Sequence, residues 1–96
     1  MTYQVYILYS ESTDKYYVGQ TEDIEVRLVL HNTGEFAGSS TKFGIPWIVY
    51  HTIECESRTQ SLAIESHIKK MKSIKYYQSL KLYPDIAIKL KEKYSH

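Results

Sequence analysis

The chain has 96 residues, 43% hydrophobic and 24% charged, which fits one domain over residues 1–96 with a single modest core and excludes a second. No apolar run approaches the roughly 20 residues that span a bilayer, and Met1 leads straight into alternating sequence instead of a secretory leader, so a cytoplasmic protein without membrane contact is expected. Net charge is only +1, yet residues 1–68 hold four basic side chains against nine carboxylates, and residues 69–96 hold eight lysines against two. A basic tail on an acidic body marks a polyanion contact or, as the plainer alternative, a solvated helix face. Cys55 is the single cysteine; it has no disulfide partner and reads as a small buried hydrophobe.

Tyr3, Val5, Ile7 and Tyr9 alternate with Gln4, Tyr6 and Leu8, the period of two that predicts a strand. A polar turn over 10–14 leads to a second short strand over Lys15–Gly19, so the two form an antiparallel hairpin. Thr21 is placed to cap a helix, with Glu22, Asp23 and Glu25 near its positive end. Ile24 and Leu28 form its apolar stripe, and Arg27 and His31, four apart, share an adjacent face. Asn32, Thr33 and Gly34 stop that helix, with Gly34 suited to a left-handed position. Residues 35–44 read as a loop. Pro46 opens a third strand, Trp47–Ile53. Ser57 caps a second helix, and Gln60 completes a capping box. Ile64, Ile68 and Met71 make the buried stripe of that helix, with Glu65 at its edge. Residues 73–94 are expected to be helical with a break at Pro84, anchored by Ile86 and Leu90. The order β-β-α-β-α-α predicts an α/β fold: a small, mainly antiparallel three-stranded sheet flanked by helices.

Several polar groups stand where packing alone would not need them. Tyr6 and Tyr17 are either sheet packing or members of a site, and Gly19 hints at a close approach to the backbone. Arg27 offers a planar fork to a phosphate, or a surface ion pair to Asp23. His31 is a proton carrier near neutral pH, or a polar residue at a helix end. Glu65 is a ligand for a hard cation, or an i,i+4 partner of Lys69. His67 and His96 have no evident partners, and His51 reads as part of the third strand. Zinc spacing, a phosphate-binding loop and a dinucleotide fingerprint are all missing from the sequence.

Read together, these residues resemble the GIY-YIG nuclease family, in its small stand-alone, YhbQ-like branch. The matching text is Gln4-Val5-Tyr6 and Tyr17-Val18-Gly19, with the tyrosines eleven positions apart. Then come Asp23 to Leu28, His31-Asn32-Thr33-Gly34, Thr41-Lys42, Pro46 to Tyr50, and the helix Ser61 to Ser73 with Glu65. Each triplet alone is weak; the ordered set spans nearly the whole chain. The resemblance implies that Tyr6 and Tyr17 lie side by side at the sheet centre, facing the scissile phosphate. It implies that one of them, or a water it orients, handles the proton of the attacking water. Arg27 would bind the phosphate, His31 would assist proton transfer or hold a phosphate oxygen, and Glu65 would hold one Mg²⁺ or Mn²⁺. Lys42, Lys69, Lys70, Lys72 and Lys75 are the expected contacts to nucleic acid, most simply DNA.

The match departs at Gln4-Val5, which replaces Gly-Ile, and at Gln20, where excision-repair members carry a lysine that helps activate the tyrosine. It departs again at Tyr77, where some members place an asparagine. The set implies a metal-dependent endonuclease acting in DNA repair or processing. Without an appended DNA-binding domain, it would bind weakly or act with a protein partner. Two other readings stay open: a nucleic-acid-binding or interaction module with the same fold and little catalysis, and a structural partner subunit whose lysines and tyrosines serve a protein interface.

Overall fold

The computed structural model describes residues 2–35 and 39–95, without the side chains of residues 39–41; His96 lies outside it. Strands β1 (Tyr3–Ser10), β2 (Lys15–Thr21) and β3 (Trp47–Cys55) form one antiparallel sheet in the order β2-β1-β3. Helix α1 (Ile24–Thr33) connects β2 to a short 3-10 helix, Ser39–Gly44, and helices α2 (Arg58–Met71), α3 (Ile74–Leu82) and α4 (Pro84–Lys93) follow β3. The expected α/β architecture is present, with the last helical stretch divided in two. Pro84 occupies the first turn of α4, where its missing N–H has no partner to lose.

Central strand β1 is apolar on both sides because both sides are covered. Val5 and Ile7 join Val18, Ile53, Cys55, Ile64, Ile68, Leu80 and Leu90 in the larger core, under α2 to α4. Tyr6 and Leu8 point the other way and pack with Trp47, Tyr17 and the α1 residues Ile24 and Leu28. The alternation read from the sequence is therefore correct, but neither face is wet. Tyr16 closes the larger core against Tyr50 and Tyr77, with ring centroids 5.2 and 5.4 Å away. Tyr77 is thus a packing residue.

Several local expectations need correction. Strand β2 runs on to Thr21, which stays paired with Gln4, so Asp23 is the cap of α1. Its carboxylate accepts from the backbone N–H groups of Glu25 and Val26, while Thr21 Oγ1 accepts from Asp23 N–H at 3.1 Å. In the capping box, Ser57 accepts from Gln60 N–H as expected, but Gln60 Oε1 accepts from Glu56 N–H at 2.7 Å. Its Nε2 donates to Lys91 carbonyl, so the residue also ties α2 to α4. Met71 is 45% exposed, because the buried stripe ends at Ile68 and α2 ends at Met71. The expected loop over 35–44 holds the 3-10 helix at residues 39–44, and strand β3 continues two residues further than predicted. Gly34 does take the left-handed position, φ 77°, and Cys55 is buried. Among the described residues no helix is long and apolar enough to cross a membrane.

Candidate active site

Tyr6 sits opposite Gly19 in the β1–β2 ladder, and Tyr17 sits opposite Leu8. The two tyrosines are therefore diagonal neighbours on one face, with ring centroids 6.2 Å apart. Gly19 is the reason Tyr6 fits. A Cβ there would lie 2.5 Å from Tyr6 Oη and 2.6 Å from Cζ, so the close approach anticipated at this glycine is made by the Tyr6 ring. The ring is 1% exposed.

Helix α1 brings His31 over the same spot. Its Nε2 lies 3.0 Å from Tyr6 Oη, and its ring meets the edge of Tyr17 at 4.8 Å. Arg27, one turn earlier, is close enough for its charge to act on the Tyr6 hydroxyl. Burial pushes the Tyr6 hydroxyl above its usual range, and Tyr17 adds to this, while the Arg27 charge opposes it. Tyr17 is also held up, by burial and then by the Glu65 carboxylate. Both phenols are therefore protonated at neutral pH. His31 moves the other way: burial, then the Arg27 charge, lower it from 6.5 to about 4. At pH 7 it is a neutral imidazole with Nε2 facing a phenol.

Glu65 comes from α2, which runs beside edge strand β2. Ser61, Glu65 and Lys69 are four apart and so share one side of the helix. Ser61 Oγ donates to Gln20 Oε1 at 3.4 Å, and Lys69 Nζ lies 6.0 Å from the Tyr17 ring centre. Glu65 lies between them, 3.8 Å from Lys69 Nζ, and its charge acts on both tyrosines. Tyr6, Tyr17, Arg27, His31 and Glu65, drawn from four separate elements, thus converge on one face.

A family model described as the GIY-YIG catalytic domain matches residues 2–78. The chain belongs to the GIY-YIG family. A UPF0213 protein of Syntrophus aciditrophicus (strain SB) is 38% identical over 82 residues, covering 84% of this chain and 92% of that protein. No solved structure matches. Membership places the chain in a nuclease family.

The GIY-YIG fold does not gather every expected residue at this face. Lys69 stands beside Glu65; Lys70, Lys72 and Lys75 are exposed at the end of α2 and the start of α3. Lys42 is exposed, its stem 3.7 Å from the position a Cβ on Gly34 would take. Asn32 was expected only to stop α1. Its side chain instead accepts from Trp47 N–H and donates to Trp47 carbonyl at 3.0 Å. That pair pins the start of β3 to α1 and sets Trp47 6.4 Å from Tyr17. Its only sequence signal was its place in the His31–Gly34 match. His67, expected to lack a partner, meets Tyr94 Oη at 3.1 Å, a contact that depends on how α4 packs back.

Among the described residues no three His, Cys, Asp or Glu side chains converge as a metal cage. The donor set fits a hard, largely hydrated cation, which commonly uses one or two carboxylates with waters and substrate phosphates. Glu65 has the right oxygen chemistry and is partly exposed, 18% at its side chain.

The low His31 pKa has a testable consequence. Between about 6.5 and about 4 the unfolded chain binds a proton that the folded chain resists. Stability should therefore fall as pH drops through that window and gain nothing further from His31 below it. In an imidazole ¹H–¹⁵N titration, His31 should stay neutral until about pH 4. A midpoint at or above the ordinary 6.5 would contradict the burial described here.

Proposed function

We propose that this chain is an endonuclease that hydrolyses nucleic-acid phosphodiester bonds, most simply in DNA, with one Mg²⁺ or Mn²⁺ at Glu65. The observation that supports it most is the Tyr6–His31 contact at 3.0 Å, with Arg27, Tyr17 and Glu65 around it. Arg27 is the phosphate ligand: its fork neutralises charge that grows on the phosphoryl oxygens. Tyr6 is a poor base in its own right, because its phenol stays protonated. It works as a relay. The attacking water passes its proton to Tyr6 Oη as Tyr6 passes its own to neutral His31 Nε2. The water oxygen bonds to phosphorus as the bond from phosphorus to the leaving oxygen breaks; that oxygen takes up a proton from solvent, and His31, which holds a proton poorly, returns the relayed one to solvent. Tyr17 orients the water and screens the site. When bound, the divalent ion supplies further charge neutralisation at the phosphoryl oxygens. A role in repair or processing, with a partner for targeting, is the setting proposed for it.

One observation favours the second reading, a binding module with little catalysis. Gln20, where a lysine would lower a tyrosine pKa, instead accepts from Ser61. Cleavage in Mg²⁺ or Mn²⁺ compared with chelator decides between the two. The lysines are tested separately. Replacing Lys69, Lys70, Lys72 and Lys75 by Ala should weaken binding and reduce the slope of log K against log salt by roughly 1–3, since each neutralised phosphate contributes about 0.7–0.9. A slope equal to wild type would return them to a solvated face.

A further inference from the structure

Beside the candidate site lies a second cleft, of about 320 Å³, lined by Lys15, Tyr16, Tyr17, Phe43, Gly44 and Trp47. It shares Tyr17 with the site, so whatever fills it touches a ring that also touches Tyr6 and His31. Its walls are aromatic. Phe43 is 81% exposed, an unusual placement for a ring that gains by burial. Trp47 can lie against the backbone because residue 44 is glycine: a Cβ there would fall 2.2 Å from Trp47 Cζ2. Asn32 holds the backbone of Trp47 on both sides, so this wall is fixed. Positive charge borders the cleft at Lys15 and, next to Phe43 in sequence, at Lys42.

We propose that this cleft receives an unpaired nucleobase next to the scissile phosphate, with Phe43 as its exposed stacking ring. The inference rests on the nucleic-acid reading above and deepens it: the substrate carries a base free to leave its stack. The occupant follows from three features together. Continuity with Tyr17 puts the cleft within reach of a nucleotide whose phosphate sits at Arg27. Aromatic walls suit any base, because every base has a π-face. Bordering lysines suit the backbone that brings the base there. Phe43 and Trp47 are positioning residues in this account and touch no reacting atom.

Trp47 is the chain's single tryptophan, so its emission reports the cleft directly. The wild-type protein in EDTA is titrated with four strands of one length: oligo-dT, oligo-U, an abasic strand of equal charge, and a fully paired duplex. Oligo-dT, oligo-U or both should shift Trp47 emission and bind about tenfold more tightly than the abasic strand, the scale of one base stacked on an aromatic ring. The duplex should shift it least. Phe43→Ala should remove most of that tenfold difference without changing the salt slope, and Phe43→Tyr should retain it. Phe43 is exposed, so loss of fold does not confuse the result. Equal affinity for abasic and base-bearing strands, no binding to any strand, or an unchanged base preference in Phe43→Ala would each overturn the proposal. Self-association through Phe43 without base-dependent binding would assign the cleft to a second copy and overturn it too. The two readings fail separately: base-dependent binding without cleavage in any metal sinks the nuclease, and cleavage indifferent to removal of the neighbouring base sinks the cleft.

Discussion

Glu65→Gln should slow metal-dependent cleavage at least about a hundredfold, the scale for loss of an electrostatic group in the transition state, while leaving the fold intact. The substitution keeps shape and removes charge. The fold loses little because, among the described residues, the ion pair given up is a 3.8 Å contact to Lys69, itself 50% exposed, and such pairs contribute about 0–1 kcal/mol. The neighbouring apolar contacts of Ile64 and Ile68 are untouched. Loss of the negative charge should also let the Tyr17 phenol titrate lower, since Glu65 helps to raise it. Single-turnover cleavage and thermal unfolding on the same preparation check this. Cleavage within threefold of wild type would remove Glu65 from the chemistry. Loss of both cleavage and fold would mean that its role is structural.

Gly19→Ala should damage stability and cleavage together. The added Cβ would lie 2.5 Å from Tyr6 Oη, and the ring is walled in by α1, Leu8 and Trp47. Overpacking of this kind costs about 1–3 kcal/mol, and each kcal/mol lowers the melting temperature by roughly 4–8 °C in a domain of this size. The displaced phenol also leaves His31, so the relay is lost, which is worth about 10²–10⁴ in rate. Tyr6→Phe provides the comparison: it should lose the relay while keeping the ring packed. Calorimetry and cleavage rates on both variants separate the two effects. A Gly19→Ala protein with wild-type cleavage would show that Tyr6 can move without consequence, and the site geometry would then be wrong.

Gly19 also shows what a sequence can and cannot say about this molecule. Its position at the end of a strand signalled a close approach, but the partner depends on the register that sets Tyr6 opposite it. Alternation in β1 was legible because side chains in a strand point to opposite faces. That both faces are covered was not, because the covering helices lie far along the chain. The capping error at Thr21 has the same origin. Thr21 and Asp23 are both good caps, and only the pairing of Thr21 with Gln4 decides between them. The Asn32–Trp47 and His67–Tyr94 contacts join residues 15 and 27 positions apart, beyond any local pattern.

At the site, residue by residue, composition left each group two readings. Arg27 had Asp23 as an alternative partner; Asp23 Oδ1 accepts from the α1 backbone, and the Arg27 charge acts on Tyr6 and Tyr17. Glu65 had Lys69, and that pair does form, although loosely. What raised these residues above the plain readings was their order, and the fold accounts for it. A hairpin supplies two tyrosines, the next helix an arginine and a histidine one turn apart, and the helix beside the edge strand a carboxylate.

The most direct test of the central claim is cleavage by the wild-type protein. Labelled single-stranded, branched and duplex substrates are incubated under single-turnover conditions in Mg²⁺, in Mn²⁺ and in excess EDTA. Discrete nicking of at least one substrate is expected in metal, abolished by EDTA and by Glu65→Gln. Intact substrates throughout, from a folded protein that still binds them equally well with and without metal, would contradict it.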